Sequence, residues 1–186
     1  LSPFLIAKHE VTQLQWKKVM GTQPSISFAA FSPVNNVTNN EIEQFLTKSG
    51  LELPTEAQWE YACRGGSTGP YSGKGIRSLA WFQLNALGLR SVGSLAANPF
   101  GLYDMHGYLW EFVADAWHPN YLGAPVDGSA WKANEKYVSR IIRSGSWRDR
   151  HPSLRSAVRV SIPDHAKSDA IGLRCVKATT GPARKK

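Results

Sequence analysis

The chain has 186 residues, 42% hydrophobic and 19% charged, with seven tryptophans and a net charge of +8. This composition argues against a disordered chain, and no run of about 18 apolar residues is present to cross a membrane as a helix. The charge is local. Residues 140–159 hold Arg140, Arg143, Arg148, Arg150, Arg155 and Arg159 against Asp149 alone, and Arg184, Lys185 and Lys186 close the sequence, so these two segments carry the whole excess. Either the arginines are buried against carboxylates, or they form a surface that attracts anions. No nucleic-acid motif accompanies them, so nucleic acid is not an expected partner. Two cysteines, Cys63 and Cys175, do not make a disulfide scaffold. The absence of CxxC and HxxxH pairs argues against a structural zinc site.

In chain order, Pro3-Phe4-Leu5-Ile6 reads as a strand. Thr12 with Gln15, Thr38 with Glu41, and Thr55 with Gln58 each fit a capping box, in which a hydroxyl and a Gln or Glu three residues on satisfy free N–H groups. Apolar faces follow each box, and Gly21, Gly50 and Gly65-Gly66 close the three helices. From 66 to 135, Gly, Pro, Asn and Ser recur between short apolar runs, which predicts irregular coil with isolated strands. Coil of that length is uncommon unless it carries function or is tightly pinned. Strands are expected from Tyr137-Val138 to Ile141-Ile142 and from Ile171 to Val176. No repeat and no linker appears. The expected class is α+β with high coil content, in one domain over residues 1–178 with a basic tail at 179–186.

Six strings stand in order: EVT at 10–12, LPTEAQWEYACRGG at 53–66, NPFGLYDMHG at 98–107 with WE at 110–111, RSGSW at 143–147, LRSAVR at 154–159 and IGLRCV at 171–176. Over roughly residues 3–178 the sequence resembles the formylglycine-generating-enzyme (sulfatase-modifying factor) family. The resemblance implies a variant of the C-type lectin-like fold, with a small central antiparallel sheet. Family members begin with a strand and a Gly-rich turn ahead of the segment matching Leu1–Thr12, so this chain is expected to lack the first strand, either as a truncated domain or as the C-terminal part of a larger polypeptide.

The family's enzymes bind copper through two cysteines and use oxygen to oxidise a substrate cysteine. The first follows the G-S-aromatic motif by two residues, where this chain has Asp149. The second lies in a segment that is about three residues shorter here and contains no cysteine. A carboxylate does not replace soft thiolates for Cu(I), and His151 alone supplies neither a nucleophile nor two ligands. The histidines that hold iron in ergothioneine-type relatives come mostly from a partner domain, and neither that domain nor a His triad is present. Calcium in family members uses G-N-x-W-E, an oxygen-rich string. Here it reads Gly107-Tyr108-Leu109-Trp110-Glu111, which leaves Glu111 as a weak calcium candidate. No cofactor is expected. In secreted relatives the positions of Cys63 and Cys175 bond cysteines at the positions of Ser156 and Leu46. Both thiols are therefore expected to be free, in a reducing, cytoplasmic compartment.

The family's catalytic region coincides with the ligand-presenting face of the C-type lectin-like fold. Here that face would be built from Trp147, Arg148, Asp149, Arg150, His151, Ser153, Val158, Val160, Ser161, Ile162, His165, Ser168, Asp169 and Ala170. Arg155, Arg159 and Arg174, inside the frame motifs, are expected to be structural and partnered. His106 is expected to be a satisfied structural histidine. His118 sits in an aromatic loop that could rim the same pocket. Three readings stay open. One is a non-catalytic domain that recognises a protein or a small anionic ligand. Another is a variable protein of a diversity-generating retroelement, which displays varied residues on this face. The third is a metal-dependent oxidoreductase with altered chemistry.

Overall fold

The structure is a computed structural model that describes residues 1–86, 88, 90–133 and 139–179. The expected start of a strand at Tyr137-Val138 and the tail beyond Thr179 lie outside the described residues. Three helices form where the capping boxes predict them: α1 over Gln13–Met20, α2 over Asn39–Ser49 and α3 over Glu56–Arg64. In each, the Thr hydroxyl and the Gln or Glu three residues on cap reciprocally, and a left-handed glycine ends the helix. A short helical turn, α4, covers Ile76–Leu79.

Strand β2, Trp110–Ala116, organises the centre. Its antiparallel neighbour β3 is Ser139–Arg143, which in turn pairs antiparallel with β4, Val160–Pro163. On the other side of β2, strand β5, Ile171–Leu173, joins parallel. The sheet order is β4-β3-β2-β5. The expected single strand over 171–176 divides in two. β6, Val176–Ala178, leaves the central sheet to pair with β1, Phe4–Ile6.

Both faces of β2 and β3 are covered. Phe112 and Ile142 pack with Trp16, Ile42, Phe45 and Leu173 on the side of α1 and α2, where the Trp16 and Phe45 rings stack at 5.1 Å. Val113 and Ile141 pack with Trp59, Ala62, Cys63 and Met105 on the side of α3. At the parallel edge the chain comes so close that a Cβ on Gly172 would stand 2.5 Å from the Val34 carbonyl oxygen.

Two arginines are buried in this framework. Arg174 is fully buried and meets Glu111 through Nη2 at 2.9 Å and Nε at 3.1 Å. It also donates to the carbonyls of Ala7 and Tyr103. Arg143, equally buried, donates to Glu56 at 2.7 Å and Glu60 at 2.6 Å. Arg159 shares Glu56 and lies over the rings of Trp117 and Tyr121. Of the six arginines in 140–159, Arg143 is buried, Arg140 and Arg159 are half-buried, and Arg148, Arg150 and Arg155 are exposed. Arg155 is the exception to the expectation of buried partners. It donates to the Pro152 carbonyl but is exposed, because Leu154 and Ser156 on either side take the inward positions.

Candidate functional site

The site begins where β3 ends. Ser144 and Gly145 both take positive φ, 91° and 83°, and turn the chain sharply out of the sheet. Only glycine fits at 145, since a Cβ there would meet Leu154 Cδ2 at 2.3 Å. Ser144 Oγ accepts from the Gly107 N–H at 3.0 Å, and Trp147 N–H donates to the Tyr108 carbonyl at 2.9 Å. The turn is therefore locked to the loop ahead of β2.

Asp149 sits inside this lock. Its Oδ2 accepts from Trp110 Nε1 at 2.8 Å, from Ser146 N–H at 2.9 Å and from Ser146 Oγ at 2.6 Å. One carboxylate oxygen thus serves three donors that the fold would otherwise leave unpaired. Trp147 is half-buried, with the Arg148 guanidinium 4.6 Å above its ring. Arg148 also pairs with the Asp169 carboxylate, and Trp147 Nε1 points at the Asp169 carbonyl at 3.4 Å. Trp147, Arg148 and Asp169 form one ledge. Arg150 and His151 are exposed beyond it, at the start of a 3₁₀ turn over His151–Leu154.

The remaining expected face residues do not all join that ledge. Ile162 belongs to the main hydrophobic core and Ala170 is buried, so both leave the face. Val158 is half-buried against the same core. Ser153 and Ser168 are half-buried. Val160 and Ser161 are exposed on the edge strand β4. Register then separates the ends: Val160 stands opposite Ile142, near the Trp147 turn, whereas Pro163 stands opposite Ser139. His165 is exposed in the turn that follows β4. His118 turns elsewhere, with its ring stacked on Trp131 at 3.7 Å.

Sequence reasoning missed the other wall of the site. A cavity of about 190 Å³ opens beside Trp147 and Asp169, lined also by Gln13, Ser25, Ile26, Ser27, Asn35, Tyr108 and Leu109. Its outer wall is the Pro- and Ser-rich loop between α1 and α2. The one local signal was Asn35-Asn36, where Asn36 takes φ 59° and donates to the Pro24 carbonyl.

The donor sets for metals can be tested directly. Copper chemistry would need thiolates at the position of Asp149, and that carboxylate is committed to Trp110 and Ser146. Cys63 and Cys175 are free and buried, and burial pushes both thiols up to about 12. Glu111 does not fit calcium, because the Arg174 guanidinium contacts both of its oxygens and Trp59 Nε1 donates to Oε2 at 2.6 Å. An arginine fills the place where a cation would bind. His106 is also occupied: Nδ1 meets the Leu154 carbonyl at 2.9 Å, Nε2 accepts from Ser72 N–H at 3.0 Å, and burial lowers its pKa. That pattern fixes the Nδ1–H tautomer and a structural role.

These elements define a C-type lectin-like α+β fold of the formylglycine-generating-enzyme type, with a ledge and a cavity at the end of its central sheet. A model of the sulfatase-modifying factor enzyme 1-like domain matches residues 1–179, and the chain belongs to that family. It is 28% identical to the formylglycine-generating enzyme of Mycobacterium tuberculosis, over 87% of this chain and 62% of that protein. It is also 28% identical to the inactive C-alpha-formylglycine-generating enzyme 2 of Mus musculus, over 90% of this chain and 56% of that protein. The chain thus spans less than two thirds of the length of these relatives. Among solved structures, PvdO from Pseudomonas aeruginosa superposes with a TM-score of 0.82 and 30% identity, over 94% of this chain and 80% of that one. Treponema denticola variable protein 1 shares the fold, with a TM-score of 0.82 at 24% identity, covering 93% of this chain and 84% of that one.

Proposed function

We propose that this domain is a non-catalytic recognition module that holds a protein partner, or a small anionic ligand, on the ledge at Trp147. The observation that carries the reading is Asp149. The position that resembles the first catalytic cysteine holds a carboxylate whose contacts are structural. Around it Arg150 and His151 are exposed, Arg148 is exposed while paired with Asp169, and together they suit an acidic surface. The likeness to an inactive relative supports the same reading. Two unpaired thiols suit a reducing compartment, which we propose to be the cytoplasm.

Changing Arg148, Arg150 and His151 together to Ala tests it. Among the described residues, the ion pair lost is the Arg148–Asp169 pair, whose Arg is 56% exposed, and such surface pairs contribute about 0–1 kcal/mol. The triple variant is expected to melt within about 3 °C of the parent chain and to lose any partner that the immobilised parent chain retains. A variant that unfolds, or that keeps the partner in full, contradicts the proposal.

A further inference from the structure

The polar side chains that line the cavity beside the ledge are already used within the protein. Gln13 donates through Nε2 to the Pro33 carbonyl, and its Oε1 accepts from Gln23 Nε2 and the Ala29 N–H. Ser25 Oγ is held between the N–H and the carbonyl of Asn35. Asn35 Nδ2 donates to the Asp169 carbonyl at 2.8 Å, and its Oδ1 is buried out of reach of a ligand. Tyr108 Oη accepts from the Arg90 N–H at 2.7 Å and donates to the Arg90 carbonyl. The Asp169 carboxylate takes Arg148 and the Ser168 hydroxyl, and Trp147 Nε1 is directed at the Asp169 carbonyl. Among the described residues, this leaves the exposed Ser27 hydroxyl on the rim as the lining side-chain group free to bond. Pro33, Leu109 and the Trp147 ring supply an apolar wall. A polar group that entered would give up its water and find at most one partner, whereas an apolar group loses nothing. The cavity therefore selects for apolar character and not for the sign of a charge. Its volume of about 190 Å³ is enough for one ring or one branched aliphatic side chain, since an apolar cavity of about 150 Å³ holds benzene.

Charge enters outside the cavity. Arg148, over the Trp147 ring, neutralises Asp169. Arg90, whose backbone holds Tyr108, and Arg150, three residues past Trp147, are exposed, and no carboxylate pairs with either among the described residues. Ile26, 84% exposed at the rim, adds an apolar lip. The apolar cavity and the uncompensated cations are separate places, so a ligand that uses both extends across the rim, as a peptide does. We infer that the cavity is the anchor pocket for one apolar side chain, aromatic or branched aliphatic, carried on a segment of the protein partner and flanked there by carboxylates. The inference rests on the recognition reading and deepens it: the exposed arginines supply the preference for acid, and the cavity supplies the preference for an apolar side chain.

The test titrates the full chain with short peptides, followed by Trp fluorescence and by calorimetry. The probe is acetyl-Glu-Glu-Phe-Glu-Glu-amide. It is compared with the same peptide carrying Ala for Phe, with the same peptide carrying Lys for every Glu, and with N-acetyl-phenylalanine amide as the anchor alone. The Phe peptide is expected to bind saturably, and about tenfold or more tighter than the Ala peptide, the worth of burying one such side chain. The Lys peptide and the anchor alone should bind more weakly. Ser27→Trp, at an exposed rim position, should cover the mouth and abolish the preference for Phe over Ala, with an unchanged melting temperature as the control on folding. No binding of the Phe peptide, equal binding of the Phe and Ala peptides, equal or tighter binding of the Lys peptide, or an unchanged preference in Ser27→Trp overturns the assignment. Equal or tighter binding of N-acetyl-phenylalanine amide overturns the peptide segment in favour of a free small molecule. If the Phe and Ala peptides bind alike and both are lost in the Arg148, Arg150 and His151 variant, the cavity assignment fails and the recognition face stands. If the preference for Phe holds while that variant binds the acidic peptide as the parent chain does, the face fails and the cavity stands.

Discussion

Arg174→Ala should cost the domain about 3–5 kcal/mol, the usual penalty for removing one partner of a buried ion pair. Typical domain stabilities are roughly 5–15 kcal/mol, and for a chain of this length the melting temperature should fall by about 6–20 °C. The guanidinium is the hub of three elements. It binds Glu111 on β2 and closes the carbonyls of Ala7 and Tyr103, which follow β1 and precede β2. Its removal leaves Glu111 fully buried with Trp59 as its remaining donor. It also strips counter-charge from Glu10 and Asp104, two buried carboxyls, each with one oxygen lacking a partner. Burial pushes the Asp104 carboxyl up to about 6, and burial followed by the Asp104 charge raises Glu10, while Arg174 holds both down. A carboxyl raised in the folded state contributes stability below its unfolded pKa and loses it as pH rises through its folded value. Without Arg174 both carboxyls rise further, so the deficit should be larger at pH 8 than at pH 5. Denaturant melts of the parent chain and Arg174→Ala at the two pH values check this, and a deficit that grows towards acid would contradict it.

Asp149→Ala should be nearly as damaging, although the residue lies in a half-buried loop. One oxygen serves Trp110 Nε1 and both donors of Ser146, a residue that is almost fully buried. Each buried donor left without an acceptor costs about 1–3 kcal/mol, so the loss should be on the order of 3 kcal/mol or more. The three donors share one acceptor, so their costs will not simply add. Asp149→Asn keeps a carbonyl oxygen in place and should recover most of the loss. Asp149→Cys restores the residue type that the family's enzymes carry, but sulfur is a weak acceptor, so this variant should resemble Asp149→Ala in stability. Chemical denaturation of the three variants measures the series. Equal stability of Asp149→Ala and the parent chain would remove the structural role assigned to this carboxylate.

The three long helices were legible because their signals are local. A Thr, a Gln or Glu three residues on and a closing Gly are enough to set each boundary. β2 was not legible, because WEFVADA is covered on both faces and shows no two-residue alternation. Nor was the division of 171–176, since Arg174 and Cys175 are both buried and only the separate pairings with β2 and β1 show where one strand ends. At the site, the motif frame located Trp147, Arg148 and Asp149, but it gave no register for β4. Ile162, which the motif frame puts on the face, turns into the core instead. The cavity wall at Ser25, Ile26 and Asn35 comes from a loop far away in sequence, and only the packing against Asp169 brings it in.

Asp149 stands at the position that resembles the family's first catalytic cysteine, and its carboxylate is committed to Trp110 and Ser146. The most direct measurement incubates the full chain with copper, oxygen and a cysteine-containing sulfatase peptide, and follows the peptide by mass spectrometry beside an active formylglycine-generating enzyme. The peptide cysteine is expected to remain unchanged. Conversion of that cysteine to formylglycine by this chain would contradict it.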